Sequence, residues 1–144
     1  MTACLFDSNI LVYANNEDSP FHGPCKKLVE EAINGSFPAY IAHQNLLELY
    51  AVVTDKRRVE SPLTPEEARI LINFYLTAES VSVLYPSSTT FSILCKLIAD
   101  HTPLSHGIFD LVLVALMIEN NIKTIHTANT RHFCNFKEIT AISP

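Results

Sequence analysis

The order of elements predicts an α/β protein: one domain over residues 1–144, with a mostly parallel sheet of about five strands covered by helices on both faces. Three observations carry this. Short apolar runs alternate along the chain with segments of helical periodicity, the pattern of parallel sheets joined by helical crossovers. From Leu111 to Ile118 every side chain is apolar, so a helix there has no polar face and belongs in the interior. Apolar residues make up 48% of the chain and charged ones 17%, enough to fill a single core at this length, with apolar surface left over for a partner or a second copy to cover.

Taken in order, Ala3-Cys4-Leu5-Phe6 reads as a buried strand whose tip carries Asp7. Ser8 and Asn9 open a helix through Ile10 to Ala14, and the polar, breaker-rich Asn15 to Pro20 is a loop. Leu28, Val29, Ala32 and Ile33 have helical spacing within Gly23 to Ile33, which Asn34-Gly35 stops. Phe37 to Ile41 is a second strand, followed by a helix from His43 to Arg58. Thr64, Pro65 and Glu67 form a helix entry in which Thr64 caps and Glu67 answers from three residues on; that helix runs to about Ala78. Val81 to Leu84 is the third strand, Ser88 to Ala99 a helix, and His101 to Gly107 a loop. The apolar helix then starts at Asp110 and ends near Asn120-Asn121. Lys123 to His126 is a fourth strand, Thr127 to Phe133 a turn with a short helix, and Ile139 to Ile142 the closing strand.

Composition excludes several classes. The longest apolar run is eight residues, far short of the roughly 20 that cross a bilayer. Asp7 interrupts the first apolar stretch and no basic region precedes it, against a signal peptide and in favour of a cytoplasmic protein with no membrane association. Cys4, Cys25, Cys95 and Cys134 lack the close pairing of a zinc or redox motif and are expected as reduced packing groups. The net charge of −5 gives no global attraction for nucleic acid, so any such role needs a local basic patch or a bound cation.

Three acids stand in poorly solvated contexts. Asp7 ends the first strand, where ligands of parallel α/β sheets are found. Glu48 lies among Leu47, Leu49, Ala51 and Val52, with no basic residue within a turn. Asp110 heads the apolar helix, with no Lys or Arg between Lys96 and Lys123. Each has a plain structural explanation: a strand-end turn for Asp7, an exposed helix face for Glu48, a helix cap for Asp110. A shared explanation is a divalent cation. It offsets the mutual repulsion of the carboxylates, and hard oxygen donors suit Mg²⁺ or Mn²⁺. Such an ion orients water and stabilises charge on phosphate oxygens, pointing to phosphodiester chemistry.

Four stretches in this order and spacing, Leu5 to Ala14, Asn45 to Leu49, Asp110 to Ala115 and Thr124 to Phe133, resemble the PIN domain, and within it the VapC-type toxin ribonucleases. The resemblance covers essentially the whole chain. It implies a three-layer α/β/α fold, endoribonuclease activity dependent on Mg²⁺ or Mn²⁺, a cognate antitoxin as partner, RNA as substrate and a homodimer. By position, Asp7, Glu48 and Asp110 match the acids of the metal site, and Asn129 the fourth catalytic position, where the family has Asp or Asn. Thr127 matches a Thr or Ser that orients the acids or their water, and Asn9 a polar residue supporting the first acid. One departure is His132, where members with Asn at the fourth position often carry an acid; it stays outside the core assignment.

The implied reaction is in-line attack of water on phosphorus. Arg131, close to Asn129, is the leading candidate for substrate phosphate, ahead of Lys56-Arg57-Arg58, which also reads as a solvated helix end. The alternative is a catalytically weak or inactive PIN-like module that binds RNA or protein. A haloacid-dehalogenase-like phosphatase needs a second Asp where Asn9 stands, and a receiver domain needs acceptor and lysine positions that are absent. A metal-independent nuclease using His43 and His132 would keep its activity in EDTA.

Overall fold

The computed structural model describes residues 2–144. Five strands, β1 (Cys4–Phe6), β2 (Ala39–Ala42), β3 (Val81–Leu84), β4 (Thr124–His126) and β5 (Thr140–Ile142), form one sheet in the order β3-β2-β1-β4-β5. Every pairing is parallel, so the expected mostly parallel sheet is wholly so, and Leu5 lies in register with Tyr40 on one side and Ile125 on the other.

Six helices cover the sheet: α1 (Ser8–Asn15), α2 (His22–Ile33), α3 (His43–Val53), α4 (Pro65–Thr77), α5 (Ser88–His101) and α6 (Gly107–Glu119). The alternation of side chains along β1 divides the core. Cys4 and Phe6 face a cluster built from α1, α2, α3 and α4, including Ile10, Leu11, Val29, Leu49 and Tyr75. Leu5 faces the opposite cluster, where α5 and α6 bring Leu94, Leu97, Leu113, Val114 and Leu116. Helix, sheet and helix make the three layers. The all-apolar run of α6 is buried from Leu113 to Met117, as its composition requires.

Local chemistry sets the element ends. Thr64 and Glu67 exchange the expected bonds, Glu67 N–H to Thr64 Oγ1 at 3.2 Å and Thr64 N–H to Glu67 Oε1 at 3.0 Å. Two boundaries differ from expectation by three residues or more. Helix α3 stops at Val53 instead of Arg58, because the Asp55 carboxylate accepts from Arg57 N–H and from its guanidinium, drawing the chain into a turn. The basic run is therefore a post-helical turn and not a helix end. Helix α6 starts at Gly107, so Asp110 is no cap; it sits in the first turn, after a chain reversal in which Gly107 N–H bonds Leu104 O. Cys4 and Cys25 pack in the core as expected, with burial pushing their thiols up to about 12 and about 11, whereas Cys95 and Cys134 are exposed. Among the described residues no helix is long and apolar enough to cross a membrane.

The connections place a crevice. From β1 the chain steps outward through β2 to β3, then crosses α5 and α6 to return as β4 on the other side of β1. The reversal of direction falls between β1 and β4, and the carboxyl ends of these strands open the switch-point crevice of such sheets.

Candidate active site

Asp7 leaves β1 at this point. Its backbone N–H donates to His126 O at 3.0 Å, locking the strand tip to the end of β4. The residue is 8% exposed, and each of its carboxylate oxygens accepts a hydrogen bond. Oδ1 accepts from Ser8 N–H at 2.7 Å, capping α1, and Oδ2 accepts from the Thr127 hydroxyl at 2.8 Å. Asn9 completes the frame. Its amide nitrogen lies 3.4 Å from Asp7 Oδ2 and 3.3 Å from Thr127 Oγ1, while its oxygen accepts from Ala128 N–H at 3.0 Å. Thr127 Oγ1 also accepts from Asn129 N–H at 3.0 Å, tying the loop after β4 to the strand tip.

Glu48 enters from α3. The residue is largely exposed, yet its Oε2 accepts from Ser8 Oγ at 2.6 Å, so a single hydroxyl joins the second acid to the helix that Asp7 caps. Partial burial raises the Glu48 carboxyl above its usual range; the Ser8 bond opposes this, and the charges of Asp7 and Asp110 add to it. Asp110 projects from the first turn of α6, which Gln44 of α3 holds by donating to Phe109 O at 3.1 Å. Its carboxyl is also raised, by burial first, against the opposing charge of His132 and with a contribution from Asp7. Asp110 Oδ2 lies 3.2 Å from His132 Nδ1.

Asp7, Glu48, Asp110 and Asn129 thus converge on one cleft of about 700 Å³, together with Ser8, Asn9, Arg58 and His132. Asn129 is exposed on its wall. Arg131 lines a separate, smaller pocket of about 330 Å³ with Phe133 and Ile139; the arginine in the acid cleft is Arg58, from the turn after α3. Sequence reasoning passed over Ser8, for which the one available signal was its position directly after a strand-tip acid. It also leaves His132 outside the core assignment.

The donor set fits a hard divalent cation. Beyond burial, the charges of Asp7 and Asp110 raise the proton affinity of Glu48, and that of Asp7 raises the proton affinity of Asp110, the state that a positive ion relieves. Among the described residues no three acidic, His or Cys side chains are drawn together as a ready-made cage. Mg²⁺ needs none: it is held by one or two carboxylates and keeps several waters.

Comparison with known proteins gives one consistent result. Residues 4–139 match the PIN domain family. Ribonuclease VapC48 of Mycobacterium tuberculosis is 30% identical over 139 residues, covering 96% of this chain and 95% of that protein. VapC ribonuclease Mb2897 of Mycobacterium bovis is 27% identical over 133 residues, covering 92% and 89%. Among solved structures, VapBC2 from Rickettsia felis bound to a promoter DNA fragment superposes with a TM-score of 0.70 at 17% identity, covering 99% of this chain and 98% of that one. VapC20 of Mycobacterium tuberculosis, a toxin that cleaves the sarcin–ricin loop, gives 0.64 at 15% identity, covering 85% and 86%.

Proposed function

The chain belongs to the PIN domain family, and from that premise we propose that it is an endoribonuclease, the toxin of a toxin–antitoxin pair, working with Mg²⁺ or Mn²⁺ held by Asp7, Glu48 and Asp110. The observation that carries this reading is the convergence of those three carboxylates, from a strand tip and two helices, on the cleft beyond β1 and β4. The VapC ribonucleases, which match nearly the full chain, support ribonuclease activity, and the VapBC structures support an antitoxin partner.

A bound cation supplies the positive charge that polarises a phosphodiester and lowers the pKa of water. The chain's own residues do the rest. Asp7 is held rigid by Ser8 N–H and Thr127 Oγ, so its carboxylate is aimed before substrate arrives. Glu48 and Asp110 enter the cleft from two different helices, and one of these carboxylates is placed to accept the proton of the attacking water. Asn129 lines the wall as a neutral polar contact, Arg58 pairs with a phosphate inside the cleft, and Arg131 contacts the strand further out. Exposed apolar side chains, among them Leu104 (86%), Leu47 (65%) and Tyr85 (63%), are the surface that a second copy and the antitoxin cover in a cytoplasmic homodimer.

The test is purified protein with a mixed RNA pool in Mg²⁺, Mn²⁺ or EDTA, beside Asp110→Ala and Asp7→Asn. Cleavage by the wild type with either metal, lost in EDTA and in both variants, is the expected result. RNA binding without cleavage in every condition would leave a binding module, the reading that the absence of an acid at His132 favours.

A further inference from the structure

Oxygen donors account for Asp7, Glu48 and Asp110, but not for the imidazole that stands against one of them. We propose that His132 is a nitrogen donor of this cleft that shifts its preference from Mg²⁺ toward transition-metal dications such as Mn²⁺ and Co²⁺. The inference rests on the cation reading given above and adds a residue and a selectivity to it.

Placement comes first. His132 is the third residue of the short 3₁₀ helix Thr130–Phe133, and its backbone N–H donates to Asn129 O at 3.1 Å. The next residue, Phe133, is 1% exposed within the core cluster to which α5 and α6 contribute, so the turn is anchored directly beside the imidazole. The ring therefore stands on a fixed turn, on the same cleft as Asp7, Glu48, Asp110 and Asn129.

Spacing comes second. His132 Nδ1 and Asp110 Oδ2 are 3.2 Å apart. Two adjacent donors on a six-coordinate ion with bonds of about 2.1 Å are about 3 Å apart, so this pair already has the separation of neighbouring ligands on one cation.

Ligand chemistry decides the direction. Mg²⁺ takes oxygen and gives up its waters reluctantly, and a neutral imidazole adds little to its binding. First-row transition ions accept imidazole readily, Co²⁺ more strongly than Mn²⁺. A cleft with three carboxylates and one imidazole binds Mg²⁺ about as an all-oxygen site would and gains affinity selectively for the transition ions. The structural alternative, in which His132 only hydrogen-bonds Asp110, gives no such selectivity.

The experiment is calorimetric titration of Mg²⁺, Mn²⁺ and Co²⁺ into the full chain at one fixed pH, with the visible absorption of bound Co²⁺ recorded alongside. Wild type is compared with His132→Asn, which keeps a hydrogen-bond donor near Asp110 while losing the imidazole, and with His132→Asp, which substitutes a carboxylate. The expected result is a fall of about tenfold in the Co²⁺-over-Mg²⁺ affinity ratio in His132→Asn, with a changed Co²⁺ spectrum, and tighter Mg²⁺ binding in His132→Asp. An unchanged ratio and spectrum in His132→Asn overturns the role of His132 and leaves the carboxylate site standing. A wild type that binds none of the three ions overturns the cation reading and this inference together.

Discussion

The Thr127 hydroxyl donates to Asp7 Oδ2 at 2.8 Å, joining residues 120 positions apart at the point where β1 and β4 end side by side. Thr127 is fully buried, and the same oxygen accepts from Asn129 N–H. Thr127→Val keeps the shape while stripping a donor from Asp7 and an acceptor from Asn129. Such unmade bonds cost about 1–3 kcal/mol. The expected outcome is an unfolding free energy lower by that amount in urea titrations and a loss of RNA cleavage, with Thr127→Ser close to wild type in both.

Asp110→Asn should separate stability from activity. Burial and the Asp7 charge hold the Asp110 carboxyl above its ordinary range, with His132 opposing. The folded form then binds the proton more tightly than the unfolded chain, so ionisation at neutral pH destabilises the fold, and this penalty fades as pH falls through the raised value. The neutral amide removes it. The thermal midpoint without divalent cations rises at pH 7.5, by about 2–4 °C for each kcal/mol recovered, while cleavage disappears. Addition of Mn²⁺ raises the midpoint of the wild type and leaves that of Asp110→Asn almost unmoved.

Ser8 links the first two acids through its 2.6 Å bond to Glu48. Ser8→Ala frees the Glu48 side chain while the Ser8 backbone N–H, which caps onto Asp7, is untouched. Cleavage should fall by about ten- to a hundredfold, as when groups that orient metal ligands are lost, with little change in the denaturation midpoint.

Arg58 and Arg131 can be told apart kinetically. Arg58 lines the acid cleft, and Arg131 lines a separate pocket. Arg58→Ala is expected to raise KM for a short RNA and to flatten its salt dependence. Arg131→Ala matters only for longer substrates, so a length series read by steady-state kinetics checks both.

His126 predicts an acid-side loss of stability. It is buried against Phe6 with Nδ1 unpartnered, and burial lowers its pKa from the ordinary value of 6.5. Above 6.5 both folded and unfolded chains hold it neutral. As pH falls through 6.5 the unfolded chain takes up a proton that the folded one resists, so stability is lost, by at most about 1.4 kcal/mol per pH unit. Urea midpoints at pH 7.5 and 5.5 should diverge more in the wild type than in His126→Gln.

Much of this architecture is legible in local pattern. Cys4-Leu5-Phe6 is apolar on both faces and short, the pattern of a buried strand, and Thr64 with Glu67 announces its helix by spacing alone. The end of α3 was not legible, since the Asp55–Arg57 turn competes with helix over a single residue pair whose outcome periodicity does not register. The start of α6 was missed similarly: Gly107 to Phe109 carry no capping signal, and the helix begins there because the preceding loop turns back on itself.

By itself the sequence determined the strand–helix order, the burial of α6 and three acids set against apolar neighbours, because all three follow from residues within a turn or two. Tertiary structure alone decided that Ser8 bridges Asp7 and Glu48, that His132 stands 3.2 Å from Asp110, and that Arg58 rather than Arg131 enters the cleft. These are contacts between elements far apart in the chain. Side-chain reach across a strand tip depends on sheet order and helix packing, and no local window of residues carries that information.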